Sequence, residues 1–248
     1  LTNLLLALIY LAFISLGLPD ALLGSAWPEI YPDFMVPVSY AGFVSMIISL
    51  GTVTSSLLSD RIINRLGTGK VTVISGVLTA LAILGFSLAP NFWVLCACAI
   101  PYGLGAGSVD VALNNYVALH FKSSHMNWLH CCWGIGATMG PYVMGVSLSS
   151  GGSWQSGYWY TSLVQLGISA ILFLSLPLWK RHEQENFSVS AEETPKSDSS
   201  SEYPRTLKLS QVVRIPGVKE VMTCFFCYAV MEQVTGVWGG TYLKLFKG

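Results

Sequence analysis

Long apolar runs alternate along this chain with short polar breaks, and the runs have the length of membrane-crossing helices. A hydrocarbon core about 30 Å thick takes about 20 apolar residues per helix. Seven runs reach that scale: Leu4–Trp27, Tyr40–Leu58, Val71–Leu88, Phe92–Leu119, Trp128–Leu148, Tyr158–Leu178 and Val218–Leu243. The breaks are built from loop residues, as in Pro28 to Pro37, Ala89-Pro90-Asn91 and Ser149-Ser150-Gly151-Gly152-Ser153. So many long helices do not fit one soluble core. The expected fold class is an all-α membrane protein. Composition agrees: 52% of residues are hydrophobic and 10% are charged, against about 25% charged in ordinary soluble domains. Lipid bilayer is thus the first partner the sequence implies.

Basic residues set the expected orientation. Arg61, Arg65 and Lys70 lie between runs two and three, and Lys122 between four and five. Lys180, Arg181, Lys196, Arg205, Lys208, Arg214 and Lys219 lie between six and seven, while the other three connections carry no Lys or Arg. Cytoplasmic loops are enriched in these residues, so the first run is expected to enter from the cytoplasm. The linker from about Glu183 to Ser210 is polar, with too little apolar surface to offset its ordering entropy. Leu207 to Val213 is the one stretch of it expected to form a short amphipathic helix at the membrane surface. The opening run lacks the basic flank and small-residue cleavage site of a signal peptide. Neither Leu1 nor Gly248 looks like a natural terminus.

A short repeat is superimposed on the helices. Gly17-Leu-Pro-Asp20-Ala-Leu-Leu23 and Gly107-Ser-Val-Asp110-Val-Ala-Leu113 both read G-x-x-D-x-x-L. They sit in runs one and four, the first of each group of three. Three crossings per group make the second copy enter from the opposite side, an inverted 3+3 repeat whose binding site belongs near the midplane.

Asp20, Asp110 and Glu232 lie well inside predicted spans. A charge at that depth costs several kcal/mol, and ionisable residues there mark solute or proton routes by default; the bland reading is a structural acid capped by a neighbouring helix. A carboxyl group in low dielectric takes up a proton more readily than in water, which is the physical requirement for proton coupling. Asn114 shares the face of Asp110 at i+4, and Asn115 follows it. Their amides suit a polyol or an interhelical hydrogen bond. His130, with Trp133 one turn on, is placed to shuttle a proton or to bond a hydroxyl.

Several signals are weaker. Trp133, Trp238, Tyr116, Tyr228 and Trp27 suit stacking on a sugar face, but Trp27 and Trp128, near span ends, fit an interfacial belt better. Gly17, Gly107, Gly136, Gly140 and Pro141 read as close helix packing and a kink. Gly103, Gly105 and Gly107 lack the preceding strand and following Lys of a phosphate loop. The Cys224-Phe-Phe-Cys227 spacing has no partner pair, and the six cysteines read as apolar packing residues. His120, His125 and His130 share no helical face, so no metal is expected. Net charge is zero, and no basic stripe or nucleic-acid motif appears. No cofactor is expected.

Ser56-Leu-Leu-Ser-Asp60-Arg61 followed by Arg65-Leu-Gly67-Thr-Gly69-Lys70 resembles the G-x-x-x-D-R-x-G-R-K loop of the major facilitator superfamily. Ser56 replaces the first Gly, and extra residues precede Gly67. The layout of six spans, a basic linker and a seventh span is also similar to that family, cut short. Residues 1–179 would then be the N-terminal six-helix bundle, 180–216 a cytoplasmic linker, and 217–248 the first helix of a second bundle. That missing bundle would be the chain's necessary partner, and the fragment alone would not transport. The resemblance implies that Asp60, Arg61, Arg65 and Lys70 form a cytoplasmic gate; ordinary solvated loop charge is the bland alternative. A narrower resemblance is to the fucose/glucose proton-symporter branch. It rests on Gly105-Ala-Gly107-Ser-Val-Asp110 with Asn114, on Met126-Asn-Trp-Leu-His130 with Trp133 and Gly136, and on Tyr228-x-x-x-Glu232 with Trp238. It implies that acids in spans one and four, here Asp20 and Asp110, handle substrate and proton.

The expected function is therefore secondary active transport in the cell membrane. Proton-coupled symport of a sugar-like polar solute leads. The alternatives are a drug or metabolite antiporter, suggested by Gly140-Pro141, and a receptor or scaffold that does not transport. An intramembrane enzyme is disfavoured, because no Ser/His or His/carboxylate pair has catalytic spacing.

Overall fold

The computed structural model describes residues 2–181 and 209–247, and among these the regular structure is helical. The main helices are α1 (Thr2–Asp20), α2 (Leu22–Asp33), α3 (Tyr40–Leu66), α4 (Thr68–Ser87), α5 (Phe92–His120), α6 (Ser123–Ser149), α7 (Trp154–Leu174) and α8 (Val218–Lys247). Most of the expected linker lies outside the described residues. The predicted surface helix Leu207–Val213 is represented by one turn, Leu209–Val212.

Among the described residues, six helical units are long and apolar enough to cross a membrane: Thr2–Asp33, Tyr40–Leu66, Thr68–Ser87, Phe92–His120, Trp154–Leu174 and Val218–Phe246. The predicted fifth span, Trp128–Leu148, is present within the 27-residue α6 but falls short in hydropathy. His125, Asn127 and His130 occupy its first half. It lies alongside α1 and α7, so part of its surface meets protein rather than lipid.

The first span differs most from expectation. It continues past Trp27 to Asp33 and is broken at Ala21, whose backbone stands at φ −93° and ψ 1°. Pro19, inside α1, has no N–H for the carbonyl four residues earlier, which weakens the ladder just before the break. The Ala21 carbonyl accepts both the Ser25 hydroxyl at 2.7 Å and the Ser25 backbone N–H at 3.3 Å. Pro28 and Pro32, expected in a loop, lie inside α2. The α3 helix also overruns its predicted end at Leu58 and carries Asp60, Arg61 and Arg65 on its last two turns. It stops at Gly67, whose φ of +80° favours glycine.

The helix pairing displays the repeat. The span α1–α2 packs chiefly on α6, and α5 packs chiefly on α3 and α4. Under the three-span inversion, the pair of spans one and five maps onto the pair of spans four and two. The repeated glycines sit at these two contacts. A Cβ on Gly17 would run into the Trp133 carbonyl of α6, and one on Gly107 into Thr52 and Ser55 of α3. The motif is thus a site where two backbones nearly touch, one turn before an acid.

Two apolar clusters fill the bundle. One gathers Leu22, Trp27, Leu95, Tyr102 and Tyr158 near one end; the other gathers Phe13, Val117, Leu129 and Trp179 near the opposite end. Trp27 belongs to the first, is 0% exposed, and donates its indole N–H to the Val38 carbonyl at 2.8 Å. It is a core residue, not the interfacial belt residue expected, because α2 continues past it to Asp33 and the α2–α3 loop folds back over its indole. Trp128, by contrast, is 61% exposed.

The α1–α6 crossing should tolerate no added methyl group. Gly136→Ala would press a Cβ onto the Ile14 carbonyl and is expected to cost about 1–3 kcal/mol. Gly134, two residues away, faces open space, and Gly134→Ala should be neutral or stabilising by up to about 1 kcal/mol. Thermal unfolding of both variants in detergent checks the contrast.

Candidate functional site

Asp20 ends α1 at the break, where the backbone turns and the side chain enters the space between the helices. Its two carboxylate oxygens have separate donors. The Tyr102 hydroxyl of α5 donates to Oδ1 at 2.7 Å, and the Trp133 indole N–H of α6 donates to Oδ2 at 2.8 Å. Hydrogen bonds to a charged group are worth about 1.5–3 kcal/mol each, so this pair offsets much of the cost of holding an acid at depth. It also pins three helices to one carboxylate.

Asp110 occupies the equivalent place on α5 with less support. Asn114 donates to its Oδ1 at 2.9 Å, the i+4 contact read from the sequence. His130 lies within electrostatic reach of Asp110, and Asp110 and Glu232 within electrostatic reach of Asp20. The His130 ring is exposed, with Nδ1 3.0 Å from the Met126 carbonyl one turn back.

Asp20, Asp110 and Trp133 line one cavity of about 520 Å³. Tyr102, Tyr158, Phe86 and Phe225 supply aromatic wall, and Ser45, Ser49, Thr52 and Gln233 supply polar groups. Among the described residues, no Lys or Arg lines it. The Tyr158 hydroxyl is buried and has no hydrogen-bond partner among the described residues. The volume lies within the roughly 300–1,000 Å³ of small-molecule sites.

The other expected site residues fall elsewhere. Asn115 is exposed and Asn114 half-buried, because successive residues on a helix point about 100° apart. Glu232 is half-buried and shares a hydrogen bond with Tyr228 of its own helix. Trp238 packs against the apolar cluster of Leu22 and Trp27 and lines a shallower groove between α3 and α8. Asp60, Arg61, Arg65 and Lys70 are all exposed around the α3–α4 turn. Gly140 packs on Leu18 of α1, and Pro141 lies inside α6. All six cysteines are free.

Sequence reasoning missed Tyr102. It sits on α5 just over two turns before Asp110, and that spacing on a helix with a mid-span acid was its only signal. The buried strut formed by Ser15, Gln165 and Thr79 was missed as well. The Ser15 hydroxyl donates to Gln165 Oε1 at 2.9 Å, and the Gln165 amide donates to Thr79 Oγ1 at 3.1 Å, joining α1, α7 and α4.

Comparison with known proteins places this geometry in a family. The chain is 27% identical over 116 residues to an uncharacterized transporter, y4wD, of Sinorhizobium fredii (strain NBRC 101917 / NGR234), covering 46% of this chain. The match spans about a third of that relative's length, 31%. Residues 9–248 match the family model described as Major Facilitator Superfamily. With its helical membrane-crossing architecture, the chain belongs to the major facilitator superfamily, a family of integral multi-pass membrane transporters rather than enzymes.

Proposed function

We propose that this chain forms the first half, and the opening helix of the second half, of a proton-coupled symporter for a sugar or a similar small polar solute. The transporter works by alternating access, rocking one bundle against the other about a midplane site. One observation carries the reading: two acids from repeat-related helices, Asp20 and Asp110, face a single cavity of about 520 Å³. Chemistry then divides the roles. Asp20 has a donor on each oxygen and serves as the fixed acceptor for vicinal hydroxyls. Asp110, held by Asn114 on one oxygen and close to His130, is the proton carrier. Trp133 and Tyr102 position Asp20. Asn115, Glu232 and Trp238 belong to the margins of the path. The basic turn with Asp60, Arg61, Arg65 and Lys70, and the linker 180–216, face the cytoplasm of a cell whose plasma membrane holds the protein.

A second reading, antiport of a drug or metabolite, is favoured by the aromatic wall of Phe86, Tyr158 and Phe225. The direction of coupling separates the two. Full-length protein in proteoliposomes, tested by counterflow against a sugar panel at two pH values, identifies the solute. An imposed pH gradient then gives the sign. Symport accumulates solute on the alkaline side, because protons and solute move together; antiport accumulates it on the acidic side. Saturable sugar binding without flux in either direction would point to a receptor.

Two substitutions follow. Asp110→Asn, which cannot release a proton, should lower gradient-driven uptake at least about tenfold while the protein remains folded in detergent. Trp133→Phe removes one donor from Asp20 and should raise KM for the solute by about tenfold. Uptake kinetics of both variants beside the parent check the assignments.

A further inference from the structure

The inverted repeat pairs the helix contacts, and one pair is unequal. Spans one and six map onto spans four and three, so α1 against α7 is the counterpart of α5 against α4. α5 and α4 pack closely, whereas α1 meets α7 and α4 only sparsely. The repeated motifs show why. Aligned on Gly17 and Gly107, Ser15 of α1 corresponds to Gly105 of α5. Gly105 sits against the backbone of α4, where a Cβ on it would lie 2.9 Å from the Ser75 carbonyl. Ser15 carries a side chain at the equivalent position, and α1 stands off by the width of polar groups.

Gln165 of α7 crosses this gap. Its Oε1 accepts the Ser15 hydroxyl at 2.9 Å, and its Nε2 donates to Thr79 Oγ1 of α4 at 3.1 Å. Thr79 gives its own hydrogen to the Gly76 carbonyl at 2.9 Å. It can therefore only accept from Gln165, which fixes the orientation of the amide. The second amide N–H of Gln165 is not used by these contacts.

Ser169 follows Gln165 by one turn on α7. Its hydroxyl is buried and has no partner among the described residues. Thr72 of α4, Thr161 of α7 and Ser175 at the end of α7 are buried too, and each donates to a carbonyl three or four residues back. Ser169 does not take that bond. Its Oγ lies instead 3.0 Å from the point that a Cβ on Gly76 would occupy. Gly76, Ser15, Thr79 and Gln165 line a cleft of about 10 Å³, close to the roughly 10–15 Å³ that one water needs.

We propose that this cleft is a water site, in which one buried molecule over Gly76 completes the strut joining α1, α4 and α7. The water accepts from the Ser169 hydroxyl and from the second Gln165 N–H. It donates to Ser15 Oγ, which gives its hydrogen to Gln165 and keeps acceptor capacity. Three hydrogen bonds are the usual complement of a buried water. A monovalent cation fits the donor set less well: Gln165 presents an N–H here, and among the described residues no carboxylate lines the cleft. Leu16 lines both this cleft and the cavity of Asp20, and Ser15 stands five residues before Asp20. The water thus helps to place the half-helix that carries the acid. The inference rests on the packing of the bundle and not on the solute or its coupling.

A structure of the full-length protein at a resolution that shows ordered water should hold one peak within about 3.2 Å of both Ser169 Oγ and Gln165 Nε2. An empty cleft at that resolution overturns the proposal. Thermal unfolding in detergent supplies an independent sign. If water holds the hydroxyl, Ser169→Ala removes a bond that the native protein makes and should lower Tm by about 2–4 °C. If the hydroxyl has no partner at all, its removal leaves Tm unchanged or raises it, and the water site falls. A parent Tm that rises when sodium replaces choline, with the rise abolished in Ser169→Ala, would assign the cleft to a cation and overturn the proposal as well. The parent structure decides the matter even where the variant folds poorly.

Discussion

A carboxylate held at bilayer depth has to find donors inside the protein, and the arrangement around Asp20 satisfies that constraint. The helix break at Ala21 delivers the side chain into the interior. Tyr102 and Trp133 reach it from α5 and α6, which requires α1 and α6 to approach closely. Gly17 and Gly136 permit that approach. Much of the sequence of spans one, four and five is explained by this one anchoring: the glycines, the proline before the break, and the paired donors are conditions for one another.

The inverted repeat gives the anchoring a counterpart without copying its chemistry. Gly107 lets α5 meet α3 as Gly17 lets α1 meet α6, and Asp110 follows as Asp20 does. Yet Asp20 is bonded across helices, whereas Asp110 is bonded within its own, by Asn114. Backbone geometry is preserved between the two halves while the immediate surroundings of the acids diverge. Such divergence gives one symmetric scaffold two acids in different surroundings.

The helices were legible in the sequence because lipid demands unbroken apolar runs, and the mid-span acids were legible because they violate those runs. The donors to Asp20 were much less so. Tyr102 and Trp133 lie 82 and 113 residues away from it in sequence, and an aromatic residue in an apolar run looks like core or belt until its partner is known. Trp27 shows the opposite failure: its place near a run's end suggested the interface, but Pro28 did not end the helix and the indole was carried into the core. Gln165 was hidden for a similar reason, since one amide in an apolar helix reveals no partner. The gate motif was placed by resemblance in a loop, whereas α3 remains helical through Leu66; Leu58, Ile62 and Leu66 keep the i, i+4, i+8 helical period past the predicted end, but the charges between them ended the apolar run.

The break at Ala21 also has a mechanical meaning. A continuous rod transmits tilt from one face of a membrane to the other; two rods sharing a joint do not. Here the joint lies next to Asp20, and α2 is the rod that packs against α8. Bending at this joint turns α2 about a pivot beside Asp20, so a small reorientation at the centre is magnified into a larger displacement at the far end of the helix.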